Sequence, residues 1–219
     1  MRMRKKPNLE PRMDACAQWW IQNPAEKKGQ WRSLLPGCTE LWVELGCGKG
    51  KFTVDTAQAN PNMLVIAVER CREAMVMAME KARDKKLTNV FFVDMDVANL
   101  EDCFAPGEID GIYLNFPDPW PRKKNAKRRL TFRAFLRMYS RVLRPAGEIH
   151  FKTDNAGLFE FSLEEFASLN LELKNVTRNL HENGPVGIMT GYEEKFYALG
   201  TPINRCEVVT YPIPEAVEP

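Results

Sequence analysis

The chain has little histidine and no paired cysteine. Only His150 and His181 occur, far apart, and six cysteines (Cys16, Cys38, Cys47, Cys71, Cys103, Cys206) are scattered without a C-x-x-C pair. That spacing excludes the common zinc frameworks, so no metal is expected and the cysteines read as small apolar residues of a reducing compartment. The two histidines are expected to be structural or solvated rather than catalytic. No apolar run approaches the roughly 20 residues that span a bilayer, and the opening MRMRKKPNLEPR lacks the apolar segment of a signal peptide. A cytoplasmic protein with no membrane contact is expected. Net charge is only +2, which excludes a uniformly basic polyanion binder. Acids are nevertheless missing from one long stretch, positions 119 through 147.

What is present is an alternation. The apolar runs LWVEL (41–45), MLVIAVE (63–69), NVFFVD (89–94) and GIYLNF (111–116) read as buried strands, with KFTVDTAQAN, REAMVMAMEKARDKK and VANLEDC as helical segments between them. Beyond Arg144, PAGEIHFKTD reads as a turn and fifth strand, NAGLFEFSLEEFASLN as a helix, and LELKNVTRNL and INRCEVVTY as two later strands. Strands alternating with helices imply βαβ units and a mostly parallel seven-stranded sheet with helices on both faces. ACAQWWIQN and KKGQWRSLL are expected to form a helical extension ahead of it. The resulting division is a basic arm and extension over 1–40, one α/β domain over 41–211, and a disordered, Pro-rich acidic tail over 212–219. In open sheets of this kind ligands bind beyond the carboxyl ends of the strands.

The first strand runs into VELGCGKGKF, where Gly46, Gly48 and Gly50 permit a tight turn and close backbone approach to a ligand. A dinucleotide fingerprint would need glycine at 51, and Lys51 stands there. Glu44 precedes the loop, Glu69 closes the second strand, and Asp94 or Asp96 closes the third, so acids line one sheet edge. A carboxylate at the second strand end suits a ribose diol, and one at the third suits an adenine amino group or a backbone turn. Without a pyrophosphate fingerprint this nucleoside-shaped series favours S-adenosylmethionine, whose cationic groups suit acidic surroundings. A simple turn with helix-capping acids is the competing reading.

The fourth strand delivers PDPWPRKKNAKRRL (117–130) to the same edge. Its prolines fix the backbone around Asp118, and Trp120 offers a stacking face for a planar base, as in loops of enzymes that methylate base amines. In the helix that follows, Phe132, Phe135, Leu136, Tyr139, Val142 and Leu143 fall on one face, while Arg129, Arg133, Arg137, Arg141 and Arg144 form a stripe on another. With no acid nearby in sequence, this stripe is expected to be a rail for a phosphate backbone.

Taken together, these segments resemble the tRNA (guanine-N7-)-methyltransferase family of the bacterial single-chain type. The resemblance covers NPAEKKGQW, VELGCGKGKF, AVER, DPWP with KRRLT, FKTDN and TGYEEKF, of which DPWP with KRRLT is the specific part. It implies a Rossmann-like class I methyltransferase fold and methyl transfer from S-adenosylmethionine to N7 of a guanine in the tRNA variable loop, by a monomer or a homodimer. It implies that Glu44, Glu69, Asp96 and Asp118 contact the cofactor, beside Gly46 and Gly48, with Asp118 also catalytic. Arg122, Asp154, Thr190, Gly191, Tyr192 and Glu193 are implied to bind substrate, Asp154 and Glu193 by reading the guanine N1 and N2 donors. Lys124, Asn125, Ala126, Lys127, Arg128 and Arg129 are implied to touch RNA. The chain departs from the family pattern with Arg122 in place of Lys, Asn125 in place of His, Pro117 in place of Ser and Gly191 in place of Glu. Methylation of an exocyclic base amine, or RNA binding without catalysis, are the alternatives.

Overall fold

The computed structural model describes residues 8–213; the basic cluster at 2–6 and positions 214–219 of the acidic tail lie outside the described residues. Each expected strand forms: β1 Glu40–Leu45, β2 Met63–Val68, β3 Val90–Val93, β4 Ile109–Asn115, β5 Leu143–Thr153, β6 Glu172–Thr177 and β7 Asn204–Thr210. They make one sheet in the order β3-β2-β1-β4-β5-β7-β6. β1 to β5 pair in parallel, whereas β7 runs antiparallel to β5 and β6. The central strands are buried on both faces, so β2 is apolar throughout and β1 is broken only by Glu44, instead of showing alternation.

Helices cover both faces. On one, α1 (Leu9–Asp14), α2 (Lys51–Ala59) and α3 (Arg72–Asp84) bring Met13, Val54, Ala57, Met75 and Met79 against Val65 and Phe92. On the other, α4 (Leu100–Cys103), α5 (Arg133–Val142) and α6 (Ala156–Ser168) bring Leu100, Leu136, Tyr139, Phe159 and Phe166 against Leu64, Ile66 and Ile112. The expected apolar face of the helix after the basic tract is therefore the face that packs. His150 is structural: it packs edge-on against the stacked pair Trp42 and Tyr113 and is bonded to Glu148 at 2.9 Å, and burial lowers its pKa.

The extension ahead of β1 departs from the helical expectation. It makes three short 3-10 turns, Ala17–Trp19, Pro24–Lys27 and Trp31–Leu34. Three indoles pin it at intervals too short for a continuous helix: Trp19 donates to the Leu87 carbonyl, Trp20 to Asp94 and Trp31 to the Cys103 carbonyl, all at 2.7–2.8 Å. Gly29, at φ 76°, turns the chain between the last two turns.

Candidate active site

Strand order reverses between β1 and β4, since β2 and β3 lie on one side of this pair and β5 on the other. This is the switch point at which open α/β sheets bind ligands. Glu44 of β1 and Asn115 of β4 meet across it. Glu44 is 2% exposed and accepts from the Thr53 hydroxyl and from Asn115 Nδ2, the latter at 3.1 Å. Burial raises the pKa of this carboxyl; the bonds from Thr53 and Asn115 act the other way.

Gly46, Gly48 and Gly50 all have positive φ, at 86°, 54° and 70°. Gly50 is required twice over, because a Cβ there would lie 2.2 Å from the Ala78 methyl of α3. A Cβ on Gly46 or Gly48 would meet no atom of another residue within 4 Å, so the loop leaves open space where its backbone is bare. Glu69 fixes that loop: one carboxylate oxygen accepts from Gly48 N at 2.9 Å and the other from Cys71 N at 2.8 Å. The Cys47 thiol registers the surrounding field, its pKa pushed well up by burial and then by Glu44 and Glu69.

The two acids after β3 separate. Asp94 accepts from the Trp20 indole and faces Arg72, so it holds the extension in place. Asp96 caps the turn Val97–Asn99 through Ala98 N at 3.0 Å and stays half exposed, with Arg70 at 3.4 Å.

At the tip of β4 the chain takes a strained path. Phe116 and Trp120 both adopt positive φ, 53° and 41°, which costs energy for aromatic residues. Neighbouring bonds hold it there: Phe116 N donates to the Lys152 carbonyl at 2.8 Å, and Arg129 donates to the carbonyls of Pro119 and Trp120 at 3.0 and 3.1 Å. The Arg128 guanidinium lies 3.7 Å from the Trp120 ring centre. One face of Trp120 is thus stacked by Arg128. Asp118 between them is exposed, and its side chain makes no bond or ion pair among the described residues. The same lack of partners holds for Arg122, at the start of the turn Lys123–Arg128, and for Asp154, just past β5. Asn125 and Ala126 are half-buried within that turn, while Lys124 and Lys127 are exposed.

Three of the five arginines of the expected rail are paired with acids. Arg133 pairs with Glu165 of α6 at 2.8 Å, Arg141 with Glu101 of α4 and Arg144 with Asp110 of β4 at 2.8 Å. The missing local acids come from elements 32 to 40 residues distant. Within 122–128, Lys123, Lys124 and Lys127 make no ion pair among the described residues and stand beside Arg122 and the stacked Arg128.

Past β6, helix α7 (Gly191–Ala198) starts with a capping box: Thr190 accepts from Glu193 N at 2.9 Å and Glu193 accepts from Thr190 N at 3.1 Å. Tyr192 is 63% exposed, whereas Glu193 is fully buried. Lys152 of β5 donates to both Glu193 oxygens, at 3.0 and 3.1 Å, and to the Ile188 carbonyl at 3.2 Å. His181 Nδ1 accepts from Val186 N at 3.1 Å, so Nε2 carries the proton given to Glu193 at 3.0 Å. With its oxygens so occupied, Glu193 does not face a ligand in this conformation, and the expectation that it reads a base edge needs revision. Lys152 and His181 were not legible as site residues. The Thr-x-x-Glu spacing of the capping box was the signal that marked this helix start. A separate hollow of about 410 Å³, lined by Asn175, Thr177, Glu182, Val186 and Arg205 among others, lies beyond β6 and contains none of the expected site residues.

The sheet order, the bare glycine loop and the acids along the strand tips define a methyltransferase of class I type. Solved structures of the same fold include a 16S rRNA methyltransferase KamB (TM-score 0.63, 15% identity, 85% of this chain and 94% of that one) and an antibiotic-related methyltransferase (TM-score 0.60, 17% identity, 83% and 92%). A family profile described as "Putative methyltransferase" matches residues 39–206. The tRNA (guanine-N(7)-)-methyltransferase of Geobacillus sp. (strain WCH70) is 46% identical over 95% of both chains, and that of Bacillus subtilis (strain 168) is 44% identical over 95% of this chain and 98% of the relative. The chain belongs to the tRNA (guanine-N(7)-)-methyltransferase family.

Proposed function

We propose that this protein transfers a methyl group from S-adenosylmethionine to N7 of a guanine in the variable loop of tRNA. The observation that carries the reading is the junction at the tip of β4: a rigid loop presents an unpartnered carboxylate, Asp118, between the glycine loop on one side and the turn bearing Lys123, Lys124 and Lys127 on the other.

The residues present fit the cofactor. The bare backbone of Gly46 and Gly48 leaves room for it, and the buried Asn115 Oδ1 has no hydrogen-bond partner, so it is free to accept from a donor such as an amino group. Glu44, Glu69 and Asp96 supply negative charge along its length. Bound there, S-adenosylmethionine supplies an electrophilic methyl on a sulfonium.

Guanine N7 carries a lone pair and no proton, so the reaction needs no general base. The protein's task is alignment, which is worth about 7–11 kcal/mol when reacting atoms are held in line. Asp118 is placed to orient the base and to offset the positive charge that its ring gains. Arg122 and Asp154 hold the substrate from the β4 and β5 tips. Thr190, Gly191 and Tyr192 do so from the start of α7, with Glu193 supporting them from inside. Residues 124–129 meet the RNA in two ways: Lys124 and Lys127 as exposed cations, and Asn125, Ala126, Arg128 and Arg129 through the turn that braces the catalytic loop.

Incubation with methyl-labelled S-adenosylmethionine and unmodified tRNA, followed by borohydride reduction and aniline cleavage, tests this. Scission at one variable-loop guanine is expected, because N7-methylguanine is labile to that treatment. Label in RNA that resists scission would point to an exocyclic amine, and RNA binding without label to a non-catalytic module.

A further inference from the structure

We propose that Lys152 is a positioning residue for methyl transfer, whose buried ammonium locks the segment 188–193 onto β5 and so sets where Thr190, Gly191 and Tyr192 stand relative to Asp118. This rests on the reading of the strand-tip edge as the methyl-transfer site. All the ammonium's hydrogen bonds go to that one segment, two to Glu193 and one to the Ile188 carbonyl. Glu193 is 0% exposed and Lys152 only 12%, so solvent does little to weaken the pair. The same carboxylate receives Thr190 N and His181 Nε2, and His181 in turn receives Val186 N. Both ends of the loop between His181 and α7 therefore close on one buried charge.

Stability alone does not account for this arrangement. A buried ion pair repays its desolvation poorly, and apolar replacements of similar volume are often as stable. What such a pair provides is direction, because donors and acceptors fit in one register only. One further contact ties that register to the cofactor side. The next residue of α7, Glu194, pairs at 3.0 Å with Lys51, the first residue of α2 after the glycine loop. The Lys152 charge also reaches Glu44 at the switch point, where it favours the ionised carboxylate. Lys152 stands between the buried acid of the cofactor side and that of the substrate side.

The test compares the full-length parent with Lys152→Met, Lys152→Arg and the double variant Lys152→Met/Glu193→Gln, which leaves no lone buried charge and carries the test should the single methionine variant fail to fold. In the double variant kcat/KM for tRNA is expected to fall about 10²-fold, the scale of a roughly 1 Å misplacement, while calorimetric affinity for S-adenosylmethionine and the melting temperature stay near those of the parent. Lys152→Arg, keeping charge and donors, should recover most of the loss. Amide exchange over 186–196 should accelerate in the methionine variants and not in Lys152→Arg. Parent-like kcat/KM in the double variant, or parallel losses of cofactor and tRNA affinity, would overturn the role. If the parent itself methylates no tRNA, the functional reading fails separately, and unchanged exchange in the double variant would still remove the lock.

Discussion

The two halves of the strand-tip edge treat their charges differently. On the β1–β3 side each acid is engaged by the protein: Glu44 by Thr53 and Asn115, Glu69 by two backbone amides, Asp96 by a cap. On the β4–β5 side Asp118, Arg122 and Asp154 make no side-chain bond or ion pair among the described residues, and neither do Lys123, Lys124 and Lys127. The first half is preorganised, as suits a small ligand that must be held in one pose. The second half leaves its charges to be satisfied by what arrives, as suits a large polyanion that brings its own geometry. The basic residues repeat the contrast over a short distance, since Arg133, Arg141 and Arg144 are engaged by Glu165, Glu101 and Asp110.

The largest effect that would sharpen this contrast is on tRNA affinity. Replacing Lys123, Lys124 and Lys127 together by Ala should weaken binding and reduce the slope of log affinity against log salt by roughly 2–3, at about 0.7–0.9 for each phosphate no longer neutralised. Filter binding across a salt series measures it. The same slope should survive Arg133→Ala, which instead lowers the melting temperature because Glu165 loses its guanidinium partner and keeps only the backbone amide; a loss of slope there would restore the rail along α5. On the preorganised side, Glu69→Ala leaves Gly48 N and Cys71 N without their acceptor. Calorimetry should show about tenfold weaker S-adenosylmethionine binding, and denaturant melts a loss of about 1–3 kcal/mol, the cost of unsatisfied donors. The smallest effect concerns Glu44. Its folded-state pKa lies above the ordinary carboxylate value, so the folded state binds protons more tightly than the unfolded state and is penalised as pH rises through that raised pKa. Glu44→Gln should therefore be the more stable protein at neutral pH, and the gap should close as pH falls toward the ordinary carboxylate range. Thermal melts across pH decide it, and a gap that widens in acid would reverse the assignment.

Why one half was easier to read follows from the same contrast. The strands, the glycine loop and the acids after β1 and β2 are local patterns, and a parallel sheet places consecutive strand ends on one edge. Asp118 was legible because two prolines and a tryptophan isolate it. The partners of Arg133, Arg141 and Arg144 lie 32, 40 and 34 residues away, so a local count of acids misses the ion pairs that engage this surface. Lys152 looks like any lysine on the outward side of a strand, and only the fold brings it to Glu193 and Ile188. Asp94 and Asp96 likewise differ through a distant partner, since the indole that engages Asp94 comes from Trp20. The extension lost its helical reading for the same reason: its tryptophans are anchored to α4, the end of β3 and the turn after α3, which no period along the chain records.

The most direct test of the junction at β4 is single-turnover methyl transfer by Asp118→Asn with saturating S-adenosylmethionine and unmodified tRNA. The predicted result is a rate about 10²–10³-fold below the parent, the scale of removing one charge-stabilising group from a reacting centre, with an unchanged melting temperature because the side chain has no hydrogen bond or ion pair to give up. A rate within about twofold of the parent, far short of that scale, would contradict the placement of base and methyl donor at Asp118.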